Sequence, residues 1–259
     1  MNFLKYTLFT VLAISAVSCT KVIDIDLNEE DQKIVIEGTV LEGDTTHRVH
    51  ITKTLNFDQS EAFPVVDDAV VTVVDNLGNT GTFTSVGNGW YELTSYPGVA
   101  GRTYYLTVVT GGKTYSASSK MPDVLTMDYL DVTFFPFGVD TFINVTPVRL
   151  DQAGISNYYS FDIIINDTLQ KGIYLQNDQF ADGNYMYEPL FGPNFKKLDT
   201  VTIRMANIDR PVYDYFNQLA TNTNGQGATP ANPVSNFSGG CLGYFSARST
   251  DVKTVIIPE

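Results

Sequence analysis

The chain has 259 residues, 16 Lys and Arg against 29 Asp and Glu, and a formal net charge of −13 at pH 7. That balance lacks the clustered basic residues that phosphate contacts need, so it excludes nucleic acid as an expected partner and disfavours anionic lipid surfaces. Two cysteines in the whole chain exclude a disulfide-stapled scaffold, so side-chain packing has to hold the molecule together.

Taken in chain order, the first element is an address. Met1 to Lys5 carries one basic side chain, Thr7 to Val17 is uncharged, and small residues lead to Cys19. This is the layout of a secretory signal. The apolar run is too short to span a bilayer, which takes about 20 residues. Ala16-Val17-Ser18-Cys19 resembles a bacterial lipobox. The resemblance implies cleavage after Ser18, removal of residues 1–18 as a lipoprotein signal peptide, and lipidation of Cys19. The alternative is an ordinary signal peptide with a chance cysteine at its end. Loss of Lys5 with the signal leaves 15 basic and 29 acidic residues, a net charge of −14. Residues 19–31 then read as a lipidated acidic tether. No second apolar segment is long enough to cross a membrane.

Strand signals begin at residue 32. Ile34, Ile36 and Val40 share one parity, Lys33, Glu37 and Thr39 the other. Val49, Ile51 and Leu55 alternate with Arg48, His50, Thr52 and Thr54 in the same way, so one face is buried and one wet. Residues 68–94 hold three short strands, punctuated by Asn76 to Gly78 and by Gly87-Asn88-Gly89. Tyr104, Leu106 and Val108 continue the pattern, and Gly111-Gly112 turns the chain into a further strand. Seven strands with turns at short intervals predict an antiparallel, immunoglobulin-like β-sandwich over residues 32–122. Met121-Pro122-Asp123 is the expected boundary, because proline ends ladder pairing.

Residues 123–259 predict a second β-rich domain. Its strands are expected around 127–135, 141–150, 157–166, 199–208 and 246–257, with Tyr159, Phe161, Ile163 and Ile165 on one face. One short helix is expected near 209–221. Asp209 caps it, Pro211 is tolerated in its first turn, and Val212, Tyr213, Phe216, Leu219 and Ala220 form an apolar stripe. A polar Gly/Pro/Asn loop follows. The class is therefore all-β.

The order of several motifs carries a resemblance. Glu37-Gly38 comes first, then Asp68-Ala69-Val70, Gly89-Trp90-Tyr91, and Gly101 with Tyr104-Tyr105-Leu106. After them stand Asn232-Pro233, Ser235-Asn236, Gly239-Gly240 and Gly243-Tyr244-Phe245. Nearly the whole mature chain resembles the domain of unknown function 4249 family, β-rich lipoproteins of Bacteroidota. The family has no assigned catalytic residues. The resemblance implies an outer-membrane lipoprotein, often encoded beside a TonB-dependent transporter. Lys21 with Asp24 and Asp26 resembles the charged signal that sends such lipoproteins to the cell surface.

Residues that could carry chemistry are few. Gly239 to Gly243 places Cys241 in a Gly-x-Cys-x-Gly frame, a cysteine version of the nucleophile elbow, but that order requires a histidine after the nucleophile and none follows. The reading from residues is a small buried cysteine between turning glycines. His47 and His50 lie three apart on a strand and so point to opposite faces, unable to clamp one metal. Asp178 to Asp182-Gly183 resembles part of a calcium loop, but Phe180 and Pro189 stand where oxygens are needed, which leaves at most a loose cation site. Asp67-Asp68 reads as solvated loop carboxylates. Tyr185, Met186, Tyr187, Phe191 and Phe195 crowd a loop broken by Pro189, Gly192 and Pro193. Two readings stand open there, a contact surface or a segment folded back onto its own sheet.

The expected function is a non-enzymatic outer-membrane lipoprotein without cofactor or metal. It captures a ligand or supports a TonB-dependent transporter. The alternatives are a carbohydrate binder, for which a lone Trp90 is a thin aromatic supply, and an adhesin or fibre subunit.

Overall fold

The computed structural model describes residues 32–43, 46–55, 62–138, 140–223 and 231–259, and these build a mostly-β molecule with one short helix. The predicted signal peptide 1–18, the tether 19–31, and Cys19 and Lys21 with them lie outside the described residues.

Alternating apolar residues make the first hairpin, β1 (Ile34–Leu41) and β2 (His47–Lys53), which pair antiparallel with Glu37 opposite His50 and Thr39 opposite Arg48. Ile36, Val40, Val49 and Ile51 are fully buried, so the period of two marks the core face as expected. Next come β3 (Val70–Asp75), β4 (Thr80–Thr82), β5 (Thr84–Gly87), β6 (Trp90–Leu93), β7 (Thr103–Thr110) and β8 (Lys113–Lys120). The pattern predicts seven strands in this half and the structure has eight. Phe83 is the reason. β4 pairs with β3 in one sheet, Phe83 sinks into the core, and β5 pairs with β6 in another sheet. A chain that changes sheets within one continuous extended stretch shows no break in its sequence.

Across the second half the strands are β9 (Tyr129–Phe137), β10 (Asp140–Leu150), β11 (Tyr158–Ile165), β12 (Thr168–Leu169), β13 (Tyr174–Asn177), β14 (Tyr185–Met186), β15 (Thr200–Ile208), β16 (Phe237–Ser238) and β17 (Leu242–Ile256). The helix, α1, spans Arg210–Thr223. It begins where its cap predicts: the amide of Val212 donates to Asp209 Oδ1 at 3.3 Å, satisfying one of the free donors of the first turn.

Three sheets result. Five strands run in the order β16-β8-β7-β3-β4, and three in the order β14-β10-β9. The large nine-stranded sheet runs β12-β11-β15-β17-β1-β2-β6-β5, with β13 also on β11. β17 is its axis. The first part of β17 pairs parallel with β1, Val35 beside Leu242 through Leu41 beside Arg248, and its second part pairs antiparallel with β15. The close approach needs Gly243. Its φ is +98°, and a Cβ there would lie 2.0 Å from the carbonyl oxygen of Ile36.

Two cores lie under this sheet. The first joins Ile36, Val49, Tyr91 and Leu106 with Phe237, Cys241, Phe245 and Ala247, so the carboxy-terminal segment completes the hydrophobic cluster of residues 34–121. The second gathers Tyr159, Phe161 and Ile163 with Ile203, Met205 and Ile257, and Ile165 packs against it. The two cores nevertheless belong to one compact unit, Gln32–Glu259.

Candidate functional site

Because paired residues in a sheet point the same way, the registers define a single outer face of the nine-stranded sheet. From one edge to the other it carries Ser160 and Asp162 of β11, then Arg204 and Ala206 of β15. Tyr244, Ser246, Arg248 and Thr250 of β17 come next, followed by Glu37, Thr39 and Leu41 of β1. Arg48 and His50 of β2 and Trp90 and Glu92 of β6 complete the row. The opposite face holds the cores. α1 covers part of the outer face: Val212 packs with Ala206 and Ile208, and Phe216 lies 4.7 Å from Tyr244, ring centre to ring centre.

Beyond the covered part the face is polar and indented twice. One cleft, of about 320 Å³, is lined by Leu41, Ser160, Asp162, Arg204, Arg248 and Thr250, with Ala206 at its floor side. Arg204 Nη1 lies 3.2 Å from Asp162 Oδ2, both half exposed. Arg248 makes no ion pair and no side-chain hydrogen bond among the described residues, and its Nε is buried without a partner. The second indentation, about 300 Å³ and more open, lies beside Trp90 with Arg48, Asn88 and Glu92 on its walls. Trp90 stacks on His50 at 4.2 Å with the rings 13° apart, and Arg48 Nε pairs with Glu92 Oε1 at 2.9 Å.

Apart from Trp90 and His50, the residues singled out in the sequence lie elsewhere. His47 and His50 do point apart. His47 is buried, accepts from the amide of Leu41 on Nδ1 at 3.2 Å, and meets the carbonyl of Tyr96 through Nε2. That pairing requires a neutral ring with its proton on Nε2. Cys241 sits in the first core, and burial pushes its thiol up to about 11. A thiol so protonated is a poor nucleophile. Tyr187 and Phe191 are exposed, and Tyr185 is half exposed with its ring 5.9 Å from that of Tyr187, whereas Met186 and Phe195 belong to the second core. The loop therefore divides: two of its five apolar residues are packing and three face out.

The acidic segment is occupied with its own backbone. Asp178 Oδ2 accepts from the amide of Asn157 at 2.7 Å, Asp182 Oδ1 from Gly154 at 2.6 Å, and Asp151 Oδ2 from Gly183 at 3.1 Å. Asp67 Oδ1 likewise accepts from Gly89 at 2.6 Å. Among the described residues no group of three or more His, Cys, Asp or Glu is placed to hold a metal ion.

Two arginines escaped the sequence reading. Arg149 is fully buried. Its guanidinium lies 3.9 Å from the centre of the Tyr159 ring, donates from Nη2 to Gln176 Oε1 at 2.9 Å and from Nη1 to Pro147 O at 3.2 Å. Burial lowers its pKa, and the Tyr159 phenol and the Asp151 and Glu188 carboxylates oppose that shift. The signal was present, since Val145, Pro147 and Arg149 share a parity whose first member is core. Arg248 follows Phe245 and Ala247 on the opposite parity, so it reads as an ordinary wet position. Only the neighbouring strands, brought from residues 41, 160 and 204, make it part of a cleft.

A family model, the domain of unknown function (DUF4249), matches residues 20–254. No curated protein matches the chain.

Proposed function

The chain belongs to the DUF4249 family, and from that premise we propose that it is a lipid-anchored, non-enzymatic outer-membrane protein that captures a ligand or serves a TonB-dependent transporter. One observation carries the reading. Cys19 follows an uncharged run and three small or aliphatic residues, and the family's shared region begins at the very next residue. Two or more acyl chains carried by that residue would hold the protein to the bilayer, since each buried methylene contributes about 0.8 kcal/mol and one chain alone binds only marginally.

Binding suits the surface better than turnover does. The outer sheet face offers an unpaired cation, an ion pair and hydroxyls around a cleft, while the chain's second cysteine is core and one of its two histidines, His47, is locked between Leu41 and Tyr96. Two sheets around the first core, antiparallel apart from the parallel pair of β1 and β17, support the immunoglobulin-like reading of the amino half.

Trp90 supports a second reading, a carbohydrate binder. An aromatic ring 41% exposed, beside Arg48 paired with Glu92, is the kind of platform on which a sugar ring stacks with its hydroxyls paired at the rim.

Affinity purification of the tagged, detergent-solubilised protein from its own membranes separates these. The transport reading expects a TonB-dependent outer-membrane transporter at near-equal amount. Recovery without any such transporter contradicts it.

A further inference from the structure

We propose that the cleft beside β17 binds a small hydroxylated monocarboxylate, with Arg248 holding the carboxylate. This goes beyond the envelope reading and stands without it.

Four buried side-chain polar atoms among the described residues have no hydrogen-bond partner: Arg149 Nε, Asn207 Oδ1, Ser246 Oγ and Arg248 Nε. Two of these residues are otherwise engaged. Arg149 bonds to Pro147 and Gln176, and Asn207 donates to Leu125 O and Ser249 Oγ. Ser246 and Arg248 are different. Neither side chain makes a hydrogen bond or ion pair with the described residues, they lie two residues apart on the same strand, and both belong to the outer face of the sheet. Ser246 is wholly buried and does not line the cleft, whereas Arg248 does. Buried polar groups are nearly always satisfied, so an arginine without a partner on the wall of an open cleft marks a place where binding has something to gain.

The charges select the ligand. Arg204 and Asp162 neutralise one another, which leaves Arg248 as the one uncompensated charge of the cleft, within a chain of net charge −13. A monoanion restores neutrality. A phosphate dianion would add a second negative charge beside Asp162. The planar guanidinium fork matches a carboxylate in bidentate fashion. Asp162 gives only Oδ2 to Arg204, so Oδ1 is available to accept from a ligand hydroxyl, and Ser160 and Thr250 line the same cleft. Leu41 supplies an apolar side. At about 320 Å³ the cleft is at the small end of ligand sites, which fits a sugar-acid-sized molecule.

The probe is glucuronate, with glucose as the uncharged control and inorganic phosphate as the dianion. Nitrogen–proton correlation spectra of the full chain report arginine Nε–H groups directly, and the Arg248 signal is assigned by its loss in Arg248→Gln. Saturable movement of that signal with glucuronate and none with glucose is expected. Phosphate should bind about tenfold more weakly, and Arg248→Gln should weaken glucuronate about tenfold or more, the loss of a charge-assisted pair. An unmoved Arg248 signal overturns the proposal, as does phosphate binding as tightly as glucuronate. Should Arg248→Gln fail to fold, Asp162→Asn provides the second test: unchanged glucuronate affinity there contradicts the assigned hydroxyl contact.

Discussion

Four donors converge on the Asp75 carboxylate at the end of β3. The amides of Leu77 and Asn79 reach Oδ1 at 2.9 Å each, and the Asn79 side chain and Arg102 Nη1 reach Oδ2 at 2.8 and 2.7 Å. Burial alone would raise its pKa, but the bonds from Asn79, Leu77 and Arg102 outweigh burial and hold it down at about 2. A depressed carboxylate stabilises the fold fully above its unfolded value of 3.8, and that stability is lost as pH falls through about 2. With a discount for the part-exposed Arg102, the contribution is about 1–2 kcal/mol. Denaturant titrations should therefore show Asp75→Asn less stable than the native chain by that amount at neutral pH, with the difference shrinking as pH drops from about 4 to about 2. A difference that does not change with pH contradicts the assigned cause. At this scale much was legible. The Asp75-Asn76-Leu77-Gly78 turn, the opposed histidines and the buried Cys241 all follow from residue type and parity. The partners of Asp75 were not, because Arg102 arrives from a segment no local pattern connects to β3.

Elements were legible in position more than in number, since the short β12, β13, β14 and β16 went unseen, and their partners were not legible. Period-two patterning locates β9, β10, β11 and β15 within a few residues, and Asp209 with Pro211 locates α1. Patterning says which face of a strand is buried and is silent on which strand lies beside it. β17 illustrates the gap. The sequence places its apolar residues, while the structure reveals a parallel pairing with β1 some two hundred residues earlier. The change of sheet at Phe83 was hidden for the same reason. β8 ends at Lys120, just before Met121-Pro122. Yet Phe237, Cys241, Phe245 and Ala247 come back across it to fill the first core. A fragment of residues 32–122 should accordingly fail to fold alone, lacking β17 beside β1 and a large aromatic from its interior, a loss of about 3–5 kcal/mol for Phe245 by itself. Amide hydrogen exchange of that fragment tests this, and a stable set of protected amides in it would refute the shared core.

Seen whole, the molecule keeps its two cores on one side of a long sheet and turns a polar, indented face the other way, part-covered by α1. Most of the candidate site was invisible in the sequence, because Leu41, Ser160, Asp162, Arg204 and Arg248 meet only through strand order. The loop of Tyr185, Tyr187 and Phe191 was visible as a cluster, but nothing local told which of its side chains turn inward. The proposed anchor is the reverse case, an expectation read from nineteen consecutive residues. Mass analysis of the amino-terminal peptide from native membranes tests it most directly. The account predicts a chain that begins at Cys19 and carries acyl groups on that residue; an unmodified Cys19, or a chain retaining residues 1–18, would contradict it.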